Sequence, residues 1–185
     1  IGNDAFNGCT ALKNISLGSG LSSLGENVFS YCTALSEFRV DENNSSYRDI
    51  DGVLFSKNGT QLILYPKGRM GAYAIPEGVK TIAANAFSDC NSLTQVIIPD
   101  SFTSIGAGAF TSCGSLTEVI IPESVKSIGY QAFYNCYSLR KIYFLGTTPP
   151  TANNSAFESC PEDIIICYPV GSESAWGSEW HGYST

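Results

Sequence analysis

Apolar residues return along this chain with two nested periods, a short one that marks strands and a long one that marks stacked coils. Leu93, Val96 and Ile98 keep an L-x-x-L-x-L spacing, so that they point into a core while Gln95 and Ile97 point to solvent. The same spacing recurs at Leu12, Ile15 and Leu17, at Leu35, Phe38 and Val40, at Leu116, Val119 and Ile121, and at Leu139, Ile142 and Phe144. Around it, Ile82, Ile105 and Ile128 fall 23 residues apart, as do Phe87, Phe110 and Phe133, and Cys90, Cys113 and Cys136. Phe6 to Phe29 and Cys9 to Cys32 keep the same step, and Phe157 with Cys160 arrives one residue late. One such coil cannot bury its apolar side alone, so the repeat predicts an α/β right-handed solenoid of about seven stacked coils. Its strands pair in parallel on one face, and the Ala-Phe-x-x-Cys segments predict short helical segments on the other.

Two interruptions shape the domain. Phe29 and Phe87 are 58 residues apart, one period plus 35, and residues 41–72 lack an Ala-Phe-x-x-Cys unit. They read instead as one enlarged coil with a β-hairpin insertion: Asp51-Gly52, then Val53 to Phe55, a turn at Lys57 to Thr60, and Leu62 to Tyr65 closed by Pro66. Asn58-Gly59 predicts a type I′ turn, because both residue types tolerate positive φ. The strand resumes at Tyr73 to Pro76, in register with Ile97 to Pro99 and Ile120 to Pro122. The second interruption is at residues 161–185, a last strand at Ile164 to Pro169 and then Trp176, Trp180 and Tyr183, which serve as a lid on the final coil. Residues 1–185 are thus expected to form a single solenoid domain.

Charge narrows the partners. Ten Lys and Arg against 17 Asp and Glu give a net charge of -7, which repels a phosphate backbone and argues against nucleic acid. Charged residues are only 15% of a chain rich in Ser, Asn and Gly, a balance suited to an extracellular repeat protein. No run of about 18 apolar residues occurs, so no membrane insertion is expected. Ile1-Gly2 opens directly on the repeat motif, and further repeats are expected upstream.

The inventory for catalysis is thin, and no enzyme activity, cofactor or metal is expected. His181 is the single histidine and stands in the polar tail without a nucleophile motif. Asp49, Asp51 and Gly52 supply only a fragment of a calcium loop, and Gly106, Gly108 and Gly114 belong to the repeat, not to a phosphate cradle. Six of the seven cysteines occupy one slot of the repeat, which points to a ladder of free, buried thiols. A disulfide framework is the alternative, disfavoured because like positions on stacked coils share one orientation; zinc lacks the required spacing.

Two surfaces are candidates for binding. Strand alternation exposes Gln95 and Ile97, Glu118 and Ile120, Lys141 and Tyr143, and Glu37 and Arg39, and places Ala74, Ile97, Ile120 and Tyr143 in one apolar row. The set Arg39, Ala74, Gln95, Ile97, Glu118, Ile120, Lys141 and Tyr143 is therefore the expected protein-binding sheet face. The competing surface is an aromatic platform of Tyr130, Tyr134, Tyr137, Trp176 and Trp180, suited to stacking on carbohydrate.

The IGxxAF motif, the ladder cysteine, strands ending in Ile-Pro, the Asp-Gly-Val-Leu-Phe hairpin and the Tyr-Pro with downstream Trp together resemble the BspA-like leucine-rich repeat proteins, which are bacterial surface proteins. The resemblance implies an extracellular or cell-surface location and adhesion to host matrix proteins or other cells. The expected role is a monomeric recognition module for a protein ligand; the alternatives are carbohydrate binding through the C-terminal aromatics and a purely structural spacer in a larger surface protein.

Overall fold

A computed structural model describes residues 1–185. The first two coils contribute β1 (Asn14–Leu17) and β2 (Glu37–Val40). The irregular coil carries β3 (Tyr47–Ile50), β4 (Val53–Ser56), β5 (Gln61–Leu64) and β6 (Gly71–Ala74). Regular coils then supply β7 (Thr81–Ile82), β8 (Leu93–Ile97), β9 (Ser104–Ile105), β10 (Glu118–Ile121), β11 (Ser127–Ile128) and β12 (Lys141–Phe144). The last coil and its cap contain β13 (Thr151–Ala152), β14 (Ile165–Cys167), α1 (Glu173–Trp176), β15 (Glu179–Trp180) and β16 (Tyr183–Ser184). The result is a solenoid of about seven coils of ~23 residues with a parallel sheet.

The main sheet runs β14-β12-β10-β8-β6, all parallel. β1 and β2 form a separate parallel pair. A second side of each coil is also extended: β9, β11 and β13 pair in parallel, with Ile105 beside Ile128 and Ile128 beside Ala152. The one-residue delay read in the last repeat is present here, because Ile128 meets residue 152 instead of 151.

The expected helical face is corrected. The Ala-Phe-x-x-Cys segments are consecutive tight turns, and the four-residue α1 is the chain's one helix. Left-handed backbone recurs every fourth residue, at Asn85 and Asp89, Gly108 and Ser112, and Gln131 and Asn135, which no helix tolerates. The amides are also spent elsewhere. Phe87 N–H donates to Ala109 C=O at 3.0 Å and Phe110 N–H to Ala132 C=O at 2.7 Å, so these donors knit coil to coil.

Side chains stack on the same repeat. The rings of Tyr65, Phe87, Phe110, Phe133 and Phe157 form a column with centroid spacings of 4.8, 4.8, 5.1 and 5.3 Å. Tyr65 fills the Phe slot of the irregular coil, a substitution the repeat alone does not show. Each buried ring contributes about 1.5–3 kcal/mol of transfer free energy. Phe6 and Phe29 form their own stacked pair at 5.4 Å.

Cysteines complete the column. All seven are free. Cys113 Sγ donates to Phe87 C=O at 3.0 Å and Cys136 Sγ to Phe110 C=O at 3.1 Å, while the same carbonyls accept from the Cys90 and Cys113 amides. Both lone pairs of each interior Phe carbonyl are thereby used. Burial pushes the Cys90 thiol up to about 12 and raises Cys113 as well. Cys136 and Cys160 are raised first by the hydrogen bond to the thiol of the preceding coil. The ladder frays at its ends, where Cys9 is exposed and Cys160 half-buried.

The irregular coil holds more than the expected hairpin. β3, β4 and β5 form an antiparallel meander, and β5 then pairs in parallel with β7. The type I′ geometry sits at Asp51-Gly52, with φ of 49° and 73°, between β3 and β4. In the 57–60 turn only Gly59 has positive φ, and Asn58 Oδ1 instead accepts from Thr60 N–H and from the Thr60 and Ser56 hydroxyls. The C-terminal lid forms as expected. Trp176 and Trp180 lie over Phe144 at 4.8 and 5.0 Å, and Trp180 and Tyr183 pack edge-on against Phe157.

Candidate functional site

The broad sheet face is built by cross-strand register. Ala74 pairs with Ile97, Ile97 with Ile120, and Ile120 with Tyr143, so these four side chains form one row across β6, β8, β10 and β12. A parallel polar row runs through Gln95, Glu118 and Lys141, in which Gln95 Nε2 donates to Glu118 Oε2 at 3.2 Å. Val96, Val119 and Ile142, between the rows, are fully buried, so the strands cannot slip by one residue without burying Glu118 and Lys141. Ile97 is 39% exposed and Ile165, which extends the polar row beside Lys141, is 53% exposed. Ile165 was not among the residues singled out from the sequence, because its coil carries the one-residue delay.

Arg39 stands apart. It lies on β2, in the separate β1-β2 sheet, and its guanidinium pairs with Glu37 at 2.5 Å. The irregular coil's meander intervenes between β2 and the five-stranded sheet, with Gly52 C=O accepting from Phe38 N–H at 2.8 Å. Arg39 thus lies outside the five-stranded sheet that carries the other residues of the expected face.

The aromatic platform also divides. Tyr130 and Tyr137 are more than half exposed and Tyr134 is half-buried, but Trp176 and Trp180 are buried at 3% and 7%. The two indoles are occupied with Tyr168, Phe144 and Phe157 and offer no face to a sugar. Tyr137 itself lies across Gly114 of the preceding coil, leaving no room there for a β-carbon.

A third feature follows from the break in the repeat. On the turn side, next to the irregular coil, opens a cleft of about 680 Å³. Leu24 to Tyr31 line one side, Ala83 to Asn85 with Ser88 and Asp89 the other, and Tyr47, Ile63, Leu64 and Lys67 also line it. Lys67 is buried; its ammonium donates to Ser88 C=O and lies 3.9 Å from Asp89. Next to it, Arg69 sits 5.9 and 5.7 Å from the rings of Tyr65 and Tyr73. Burial pushes the Tyr65 hydroxyl up to about 12. The signal for this cleft was the 58-residue gap between Phe29 and Phe87, which announces a missing turn segment without saying which side stays open.

The model of the BspA type leucine rich repeat region matches residues 1–68 and 64–169, in 6 copies. A leucine-rich repeat protein from Eubacterium ventriosum has a similar structure, with 26% identity and a TM-score of 0.72 over 86% of this chain and 49% of that one. A leucine rich cell surface protein from Faecalibacterium prausnitzii is 36% identical, with a TM-score of 0.64 over 95% of this chain and 52% of that one. The pneumococcal vaccine antigen PcpA, 23% identical, shares the fold with a TM-score of 0.60 over 89% of this chain and 53% of its own. The chain therefore spans about half the length of these structures. No curated protein matches it.

Proposed function

We propose, from the premise that this chain belongs to the BspA-type leucine-rich repeat family, that it is a non-catalytic recognition module at a bacterial cell surface and that it binds a protein ligand through its sheet face. The observation that carries the reading is the register of Ala74, Ile97, Ile120 and Tyr143 into one solvent-facing row, flanked by Gln95, Glu118 and Lys141. An apolar row with a polar border is the composition of an interface patch, where dewetting of the centre supplies affinity and the rim supplies specificity. The surface location is supported by the Faecalibacterium relative, which is named as a cell surface protein.

Binding of the wild-type chain and an Ile97→Lys/Ile120→Lys variant to immobilised purified host matrix proteins tests this. The expected result is saturable binding to at least one of them, weakened at least tenfold in the variant, with an unchanged circular dichroism spectrum. Equal binding by both proteins removes the sheet face from the account.

A further inference from the structure

On the turn side, amides of one coil donate to carbonyls of the next: the Phe of a coil that a regular coil follows and the residue two after it do so, and the residue two before the Phe does so in some coils but not at Asn85 or Gln131. Asp4, Phe6 and Gly8 N–H donate to Glu26, Val28 and Ser30 C=O at 2.9, 2.9 and 2.8 Å, and Gly108, Phe110 and Ser112 donate to Tyr130, Ala132 and Tyr134 C=O at 2.9, 2.7 and 2.8 Å. The matching donors of the second coil are Phe29 and Tyr31, with Asn27 at the position that Asn85 and Gln131 also leave unbonded. Their N–H groups have neither a backbone nor a side-chain acceptor, and all three residues line the 680 Å³ cleft.

The cause is the irregular coil. Its short turn-side segment is stitched to the coil after it: Tyr65 N–H donates to Ala86 C=O at 2.9 Å, and the Lys67 ammonium reaches the Ser88 carbonyl that a regular coil would bond through an amide. Nothing from that segment turns back to Asn27, Phe29 and Tyr31. The core divides at the same place, with Leu17, Val28, Phe29, Cys32, Leu35, Phe38 and Leu54 forming a cluster separate from the main one. A row of unpaired donors inside a solenoid is equivalent to an unfilled strand edge.

We propose that this gap is a peptide-binding groove, in which a segment of a partner protein takes the place of the missing turn segment and its carbonyl oxygens accept from the amides of Phe29 and Tyr31. The second coil itself presents carbonyls in this way to the amides of the first, so the fold already shows how such a row is filled. Main-chain bonds give affinity in this mode, and alternate side chains find pockets; here Tyr47, Ile63 and Leu64 supply the apolar lining. Lys67 is committed to Ser88 and Asp89, while Glu26 on the opposite wall has no cationic partner. With a net charge of -7 on the chain, the groove selects a neutral or basic segment. This site stands on the turn side and is independent of the sheet-face reading.

The probe is a synthetic peptide copying residues 105–115, with Cys113→Ser, which in the protein already offers the Ala109 and Thr111 carbonyls to Phe87 and Asp89. Amide hydrogen exchange is followed by NMR in the whole chain with and without millimolar peptide. The expected result is at least tenfold slower exchange at Phe29 and Tyr31, abolished in Ala84→Trp and in Ser30→Trp, two variants that fill the cleft, and retained in Ile97→Lys/Ile120→Lys. Unchanged exchange at saturating peptide overturns the proposal, as does binding that survives both Trp variants. Slow exchange at these amides in the free protein, through closure of the gap or self-association, overturns it as well.

Discussion

The Tyr183 hydroxyl donates to the Phe157 carbonyl at 3.4 Å, across 26 residues, the same offset at which Cys136 Sγ donates to Phe110 C=O. The last Phe has no following coil to provide a thiol, and a tail tyrosine fills that place. Burial pushes its hydroxyl up to about 12, as expected of a phenol held neutral in the cap. Tyr183→Phe keeps the ring packing on Phe157 and removes only the donor. The expected loss is about 0.5–1.5 kcal/mol, read as a lowered urea midpoint with an unchanged m-value.

Trp180→Ala reaches further, because the indole covers both Phe144 and Phe157 at 5.0 and 5.6 Å. Loss of a buried Trp side chain costs about 3–5 kcal/mol. In a stack held by nearest-neighbour contacts the damage is local first, so limited proteolysis is expected to cut the C-terminal coil before the rest of the chain.

Phe110→Ala opens the middle of the ring column between Phe87 and Phe133. The expected destabilisation is again about 3–5 kcal/mol, measured by chemical denaturation. Tyr130→Ala, at an exposed ring, is expected to change stability by less than about 0.5 kcal/mol.

Thiol chemistry follows burial. Cys9 is expected to react at once with a maleimide in the native protein, and Cys32, Cys90, Cys113 and Cys136 only on unfolding, as read by mass spectrometry of the labelled peptides. The same groups set an alkaline limit. A thiol raised from 9.0 to about 12 in the folded state keeps its proton after the unfolded chain has lost it. The unfolded state then binds fewer protons, so stability falls with rising pH. Urea midpoints are expected to be level below pH 9 and to decline from there toward pH 12.

Much of this architecture was legible in the sequence because it rests on repeated buried residues. Ile82, Ile105 and Ile128 gave the period, and the L-x-x-L-x-L strands gave the faces of Ile97 and Ile120. What escaped was carried by backbone. Asn85, Asp89, Gln131 and Asn135 adopt positive φ without being glycine, so four-residue spacing looked helical where the chain turns. Arg39 followed the repeat in sequence yet lies beyond the meander, since a long insertion moves a strand without altering its pattern. The sequence admits Trp176 and Trp180 both as lid and as platform, and packing against Phe144 decides for the lid.

Native-state hydrogen exchange of the free protein, resolved by residue, tests the coil stack most directly. The account predicts strong protection of the Phe6, Phe87, Phe110 and Phe133 amides, which donate to the next coil, and fast exchange at Phe29 and Tyr31, which do not. Uniform protection across both groups, or fast exchange at Phe87 and Phe110, contradicts a column of bonded coils with a single internal break.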